Sequence, residues 1–166
     1  MNKKTRVLKK TACLVLAGMI LIGLLSCASL SKFERRMKKM TDLDIDVSGC
    51  RITEEKDTHA AMGDGEYLLI LDCKGHEESI LEQTREWAEF PMTSNLQAVM
   101  SRGGRLSEQY GIPQIGKGVW YYYDRYPDAV HDKHSDEALL TRPAQNFTLI
   151  LYDSENSMLY YYECDT

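Results

Sequence analysis

The feature that most constrains the fold of this chain is a set of short segments in which aliphatic and aromatic side chains dominate. Each is five to seven residues long, which favours strands over helices, and their Tyr, Trp, Ile and Val residues are typical of strands. The segments are residues 67–73, 119–123, 146–152 and 158–163. Only residues 153–157 separate the last two, and their Asp, Ser and Asn residues predict a hairpin turn.

The remaining segments complete an α+β pattern. Residues 44–53 begin with alternating polar and apolar side chains and predict a first strand. Residues 77–89 have the spacing of an amphipathic helix, which Pro91 would end. The order strand, strand, helix, strand, hairpin predicts an α+β domain: a single antiparallel sheet of about five strands, with one or two helices packed on one face.

The aromatic residues raise a question about the second face of this sheet. Because side chains alternate along a strand, residues 120–123 and 160–162 place aromatic rings on both faces. One face must form the core. The other face is either covered by helices or exposed, and an exposed aromatic face would bind a peptide or a glycan.

Two cysteines flank the first two predicted strands. If these strands reverse near residues 61–62, Cys50 and Cys73 lie opposite one another, and an oxidising compartment would permit a disulfide. A register shift of one residue would spoil the geometry. The alternative, in which both are buried thiols like Cys164, therefore stays open.

The N-terminal segment has the layout of an export signal. Five basic residues precede an uncharged, mostly apolar run over residues 11–26, which is shorter than the roughly 20 residues that span a bilayer. The run ends in Leu24-Leu25-Ser26-Cys27, which resembles the lipobox of bacterial lipoproteins. That resemblance implies cleavage before Cys27 and a diacylglycerol on its thiol; an uncleaved signal anchor is the alternative.

Charge divides the rest of the chain into two parts. Residues 28–41 contain five basic residues and one acid, whereas residues 42–166 contain 10 basic and 24 acidic residues, a balance of −14. An acidic body argues against nucleic acid as a partner, and a basic tether suits anionic lipid headgroups. We therefore expect a signal peptide at residues 1–26, a lipidated basic tether at 27–43 and an extracytoplasmic domain at 44–166.

The tether has an apolar stripe of its own. Phe33, Met37 and Met40 follow one another at helical spacing, with basic residues between them. Such a helix can lie in a membrane interface. A disordered linker, solvated by its charges, is the other interpretation.

Several further stretches of the chain carry a resemblance, and they are residues 57–59, 63–67, 87, 90–91, 122–125, 146–153, 159–162 and 165–166. Together they resemble a group of small exported lipoproteins of Gram-positive bacteria for which no activity is known. The resemblance covers most of residues 50–166 and implies a fold and a location rather than a reaction.

Candidate metal ligands cluster in one polar segment. Residues 131–137 contain two histidines and three carboxylates, and His131, His134 and Asp136 could bind a divalent metal, joined by His59 if the fold brings the two loops together. The spacing matches no established metal motif, so a solvated loop is the alternative. We expect no cofactor.

These observations favour a lipid-anchored module on the extracytoplasmic face of the cell membrane. We expect it to be non-catalytic, serving to bind a protein or glycan partner or to act as an accessory. One alternative is a metal-assisted hydrolase built on His59, His131 and His134. The other is an immunity-type lipoprotein, with which the small size and acidic body are compatible.

Overall fold

The computed structural model describes residues 29–60, 63–101, 107–127 and 132–166 of the 166-residue chain. It confirms the α+β class and the single antiparallel sheet, which has six strands in the order β1-β2-β6-β5-β4-β3. The strands are β1 Arg51–Asp57, β2 Gly65–Asp72, β3 Ala88–Glu89, β4 Gly118–Asp124, β5 Phe147–Asp153 and β6 Met158–Asp165. The helices are α1 (residues 29–41), α2 Glu77–Gln83, α3 Ser94–Ser101 and α4 Ser107–Tyr110.

The strand beyond the predicted five is β3, which lies in the segment predicted as helix. Helix α2 ends at Gln83, and the chain then turns so that Ala88 and Glu89 pair with Trp120 and Val119 of β4. The first strand also starts later than predicted. Residues 44–48 are not a strand, because side chains satisfy their backbone: the Asp46 amide donates to Gln83 and the Val47 amide to Glu34.

The predicted hairpin forms between β5 and β6, with Asp153 opposite Met158. The Asp153 carboxylate accepts hydrogen bonds from the amides of Glu155 and Asn156, at 3.0 and 3.1 Å, which stabilises the turn. All of β5 is buried, so the hairpin forms the centre of the sheet.

The predicted tether folds onto the sheet. Leu30, Phe33 and Met37 form a buried stripe on α1, and the Phe33 ring meets the Tyr161 ring edge-on at 4.9 Å. Neither a disordered linker nor an interfacial stripe describes this helix, because its apolar side covers the sheet. The folded domain therefore includes residues 29–43, and the predicted boundary at residue 44 lies inside it.

The second face of the sheet is covered as well. Leu96 of α3, Tyr110 of α4 and the loop residues Ile112 and Leu139 are buried against it. The aromatic side chains of this face, such as Tyr160, are therefore core residues and not an exposed binding surface. Among the helices of the described residues, none combines the length and apolar character required to cross a membrane.

Cys50 and Cys73 form a disulfide, with Cα atoms 4.3 Å apart. The pairing of Arg51 with Asp72 brings the two cysteines opposite one another, and the register shifts only further along, between Ile52 and Glu54. The disulfide lies in the core on the α1 side of the sheet. Cys164 is buried and lies outside this disulfide.

Candidate functional site

A groove on the α3 side of the sheet is the first candidate site. Its volume is about 440 Å³, within the roughly 300–1,000 Å³ typical of small-ligand pockets. We call it the apolar groove, and its lining residues are Phe90, Pro91, Met92, Gln97, Met100, Ile112, Pro113, Gln114, Ile115 and Leu151.

Short elements on either side hold the groove open. Leu96 is fully buried and fixes α3 to the sheet, so that Gln97 and Met100 of the same helix flank the groove. On the other side, Gly111 has a φ of 64°, a left-handed conformation that suits glycine and turns the chain after α4. Ile112 follows this turn and packs into the core, where it forms part of the groove wall.

The chemistry of the groove favours an uncharged ligand. Among the described residues, no charged side chain lines it, and its polar side chains are the amides of Gln97 and Gln114. The Gln97 amide donates to the Met92 carbonyl at 2.6 Å. Met92 and Met100 have flexible thioether chains that adapt to the shape of an apolar ligand.

A set of six charged or titratable side chains at one end of the sheet is the second candidate. We call it the ionic network, and its members are Arg36, Asp57, His59, Arg125, Glu163 and Asp165. It joins α1, the ends of β1 and β6, and the segment after β4. The Glu163 carboxylate is its most buried member, at 0% exposed.

Arg36 neutralises this buried carboxylate. Its Nε and Nη2 donate to the two oxygens of Glu163 at 2.9 and 2.7 Å, and the Tyr161 hydroxyl also donates to Glu163. The guanidinium lies over the Tyr67 ring, 3.9 Å from its centroid. A bidentate pair with a stacked guanidinium is the strong form of this interaction, so it ties α1 to the sheet.

His59 lies between two carboxylates. Its Nδ1 is 2.6 Å from Asp57 and its Nε2 is 3.1 Å from Asp165. Burial alone would lower the pKa of His59, but the hydrogen bonds and attraction to these carboxylates outweigh burial and raise it. Burial would raise the pKa of Asp57, yet the bonds from His59, with attraction to Arg36, lower it. Both shifts favour the charged pair.

Three members of the network are close enough to share a metal ion. Ligand atoms of His59, Glu163 and Asp165 all lie within 4.8 Å of one another. The carboxylates already have cationic partners, however: Arg36 for Glu163, and Arg125 for Asp165 at 2.5 Å. A divalent ion would have to displace two guanidinium groups, so the donor set suits an ion-pair network better than a metal site.

Of the residues predicted as metal ligands, His59, His134 and Asp136 are described, and these three do not form one cluster. The His134 ring packs against the rings of Tyr121 and Tyr123, at 5.4 and 5.6 Å, whereas Asp136 accepts from the Thr93 hydroxyl beside α3. His59 belongs to the ionic network. His131, like Cys27, lies outside the described residues. The metal-assisted hydrolase stays a prediction that this geometry does not favour.

The sequence contains a weak signal of the groove and none of the ionic network. Ile112 and Ile115 stood out as apolar residues in a stretch that Gly and Pro predict as loop. Arg36 lay in the segment assigned to the tether, which concealed its pairing with Glu163. Comparisons with protein-family models, with curated proteins and with solved structures found no match.

Proposed function

We propose that this protein is a lipid-anchored, extracytoplasmic and non-catalytic binding module that takes an uncharged apolar ligand in the apolar groove. The observation that carries the proposal is the groove itself. It is a concave site of ligand size, and all of its described lining side chains are apolar or neutral.

Two features support the extracytoplasmic location. The residues Leu24 to Cys27 resemble a lipobox and follow an apolar segment of signal type. The disulfide between Cys50 and Cys73 suits an oxidising compartment, where such bonds form and persist.

The ionic network supports a non-catalytic role. A general acid or base needs a position where it can reach a substrate, whereas Glu163 is buried beneath Arg36 and Tyr161. Both ring nitrogens of His59 are engaged by carboxylates of the protein. The charged groups of the network therefore stabilise the fold by pairing with one another.

A fluorescence titration with N-phenylnaphthylamine, an uncharged apolar probe, tests the groove. We expect the wild-type chain to bind the probe and Ile115→Glu to bind it at least about tenfold more weakly, because an unpaired carboxylate in an apolar site costs more than about 1.4 kcal/mol. Leu81→Glu is the matched control, since Leu81 is 42% exposed on α2, across the sheet from the groove. Equal binding by both variants would contradict the proposal.

Mass spectrometry of protein extracted from membranes tests the anchor. The wild-type chain should begin at Cys27 and carry the mass of a diacylglycerol, whereas Cys27→Ala should retain residues 1–26 or leave the membrane. A wild-type chain that keeps residues 1–26 without lipid would contradict the anchoring.

A further inference from the structure

The outer face of α1 is a strip of three basic side chains. Lys32, Arg35 and Lys39 are all exposed, and their spacing of three and four residues places them on one side of the helix. At 3.6 residues per turn, that side is opposite the stripe containing Phe33 and Met37, which faces the sheet. The strip therefore lies on the side of α1 that faces away from the sheet, with Lys32 at the edge of a small pocket between α1 and β1.

The charges of this strip are not used within the fold. Arg36 pairs with Glu163 and Lys38 with Asp44, but Lys32, Arg35 and Lys39 have no carboxylate partner among the described residues. Residues 42–166 have a balance of −14. A positive strip attracts an anionic surface, but the acidic body repels it, so the surface must contact the strip alone. A flat bilayer with anionic headgroups meets both requirements.

The position of α1 in the chain brings the strip close to such a surface. Cys27 lies two residues before Ser29, the first described residue of the helix. Two residues span at most about 7 Å, which is within the Debye length of about 8 Å at physiological salt. A lipid on Cys27 would therefore keep the start of α1 within electrostatic reach of the headgroups.

The groove lies on the other side of the sheet. Leu151 of β5 lines the groove, whereas its neighbours Ile150 and Tyr152 belong to the core beneath α1. Since side chains alternate between the faces of a strand, the sheet separates α1 from the groove.

We propose that α1 lies on an anionic bilayer through Lys32, Arg35 and Lys39, so that the apolar groove opens away from the membrane, towards ligands in the extracytoplasmic space. This orientation rests on the proposed anchoring at Cys27. It identifies the ligand as one that arrives from solution and is not extracted from the supporting bilayer.

Acetylation of lysines on the vesicle-bound full chain, read by mass spectrometry, tests the orientation. One set of vesicles is phosphatidylcholine alone and the other is equal parts phosphatidylcholine and phosphatidylglycerol. With the anionic vesicles we expect labelling of Lys32 and Lys39 to fall about fivefold, the factor that corresponds to roughly 1 kcal/mol of attraction per basic residue. Lys74 and Lys117 are internal controls, and Lys117 follows the groove residue Ile115 by two positions.

The outcomes separate the orientation from the proposed function. Protection of Lys32 and Lys39, reversed by high salt and absent at Lys117, supports the orientation. Flotation in a density gradient shows whether the chain is bound to each set of vesicles. If the chain floats with both sets but lacks this protection, or shows equal protection at Lys117, the orientation alone is contradicted. A chain that floats with neither contradicts the anchoring as well.

A pair of charge-reversed variants provides a second measurement. Arg35→Glu with Lys39→Glu should abolish the difference in labelling of Lys32 between the two sets of vesicles. Lys74→Glu with Lys117→Glu changes the net charge equally at exposed positions outside α1, and it should preserve the difference. If both pairs behave alike, the strip has no specific role and the orientation is wrong.

Discussion

The two faces of the sheet use alternate residues of the same strands, yet they are covered differently. On one face α1 lies along the sheet, and aromatic contacts such as Phe33 with Tyr161, together with the Cys50–Cys73 disulfide, close the core. On the other, short helices and Pro-containing loops cover Tyr160 and its neighbours but leave the apolar groove. The pocket beside α1 has a volume of only about 90 Å³, whereas the short elements leave a groove of about 440 Å³, which is large enough for a small ligand.

The comparison predicts that replacing a large side chain by alanine destabilises the domain more on the α1 face than at the groove. Phe33→Ala should lower the free energy of unfolding by about 4 kcal/mol, because Phe33 is 2% exposed and its loss leaves a cavity beneath α1. Met92→Ala should lower it by less than about 1 kcal/mol, since Met92 borders a space that already exists. Urea unfolding measures both values, and equal losses would contradict the difference between the faces.

The pairing of α1 with the sheet predicts the next largest effect. Arg36→Ala should destabilise the domain by about 3 kcal/mol, because it leaves the Glu163 carboxylate buried without its cation. Arg35→Ala is the matched control on the exposed face of α1, with an expected change within about 0.5 kcal/mol. If the two variants unfold at the same urea concentration, Arg36 does not hold α1 to the sheet.

The smallest expected effect is a dependence on pH. The folded state raises the pKa of His59 above its ordinary value of 6.5, so the stabilisation is complete below about pH 6.5 and is lost as the pH rises through the raised value. We expect a loss of a few tenths to about 1 kcal/mol, the range of partly exposed ion pairs. Urea unfolding between about pH 6 and pH 9 measures this loss. The His59→Gln variant lacks the titrating ring and should lose less stability over this range than the control His76→Gln, in which an exposed histidine is replaced. Identical pH profiles for the two variants would contradict the assignment.

Much of the sheet could be predicted because its signals are local. Segments such as residues 146–152 and 158–163 have strand composition and strand length, and the turn between them has the residues that a hairpin requires. Strand β3 could not be predicted, because two residues carry no periodicity and their pairing depends on Val119 and Trp120, far away in the chain.

The candidate sites could not be predicted, because they depend on contacts between residues far apart in the chain, which local sequence patterns do not reveal. Arg36 pairs with Glu163 across 127 positions, and its charge looked like that of a solvated tether. The groove combines residues near 90, 100, 113 and 151, none of which forms a motif. The export signal and the immunity-type alternative stay predictions, the first because residues 1–28 lie outside the described structure.

The most direct test of the binding function is NMR of labelled methionine methyl groups during titration with N-phenylnaphthylamine. Met92 and Met100 line the groove, whereas Met37 is buried between α1 and the opposite face of the sheet. If the groove is the binding site, the signals of Met92 and Met100 should shift with the probe while the signal of Met37 stays in place. Shifts at Met37 alone, or equal shifts at all three, would contradict the assignment of the binding function to the apolar groove.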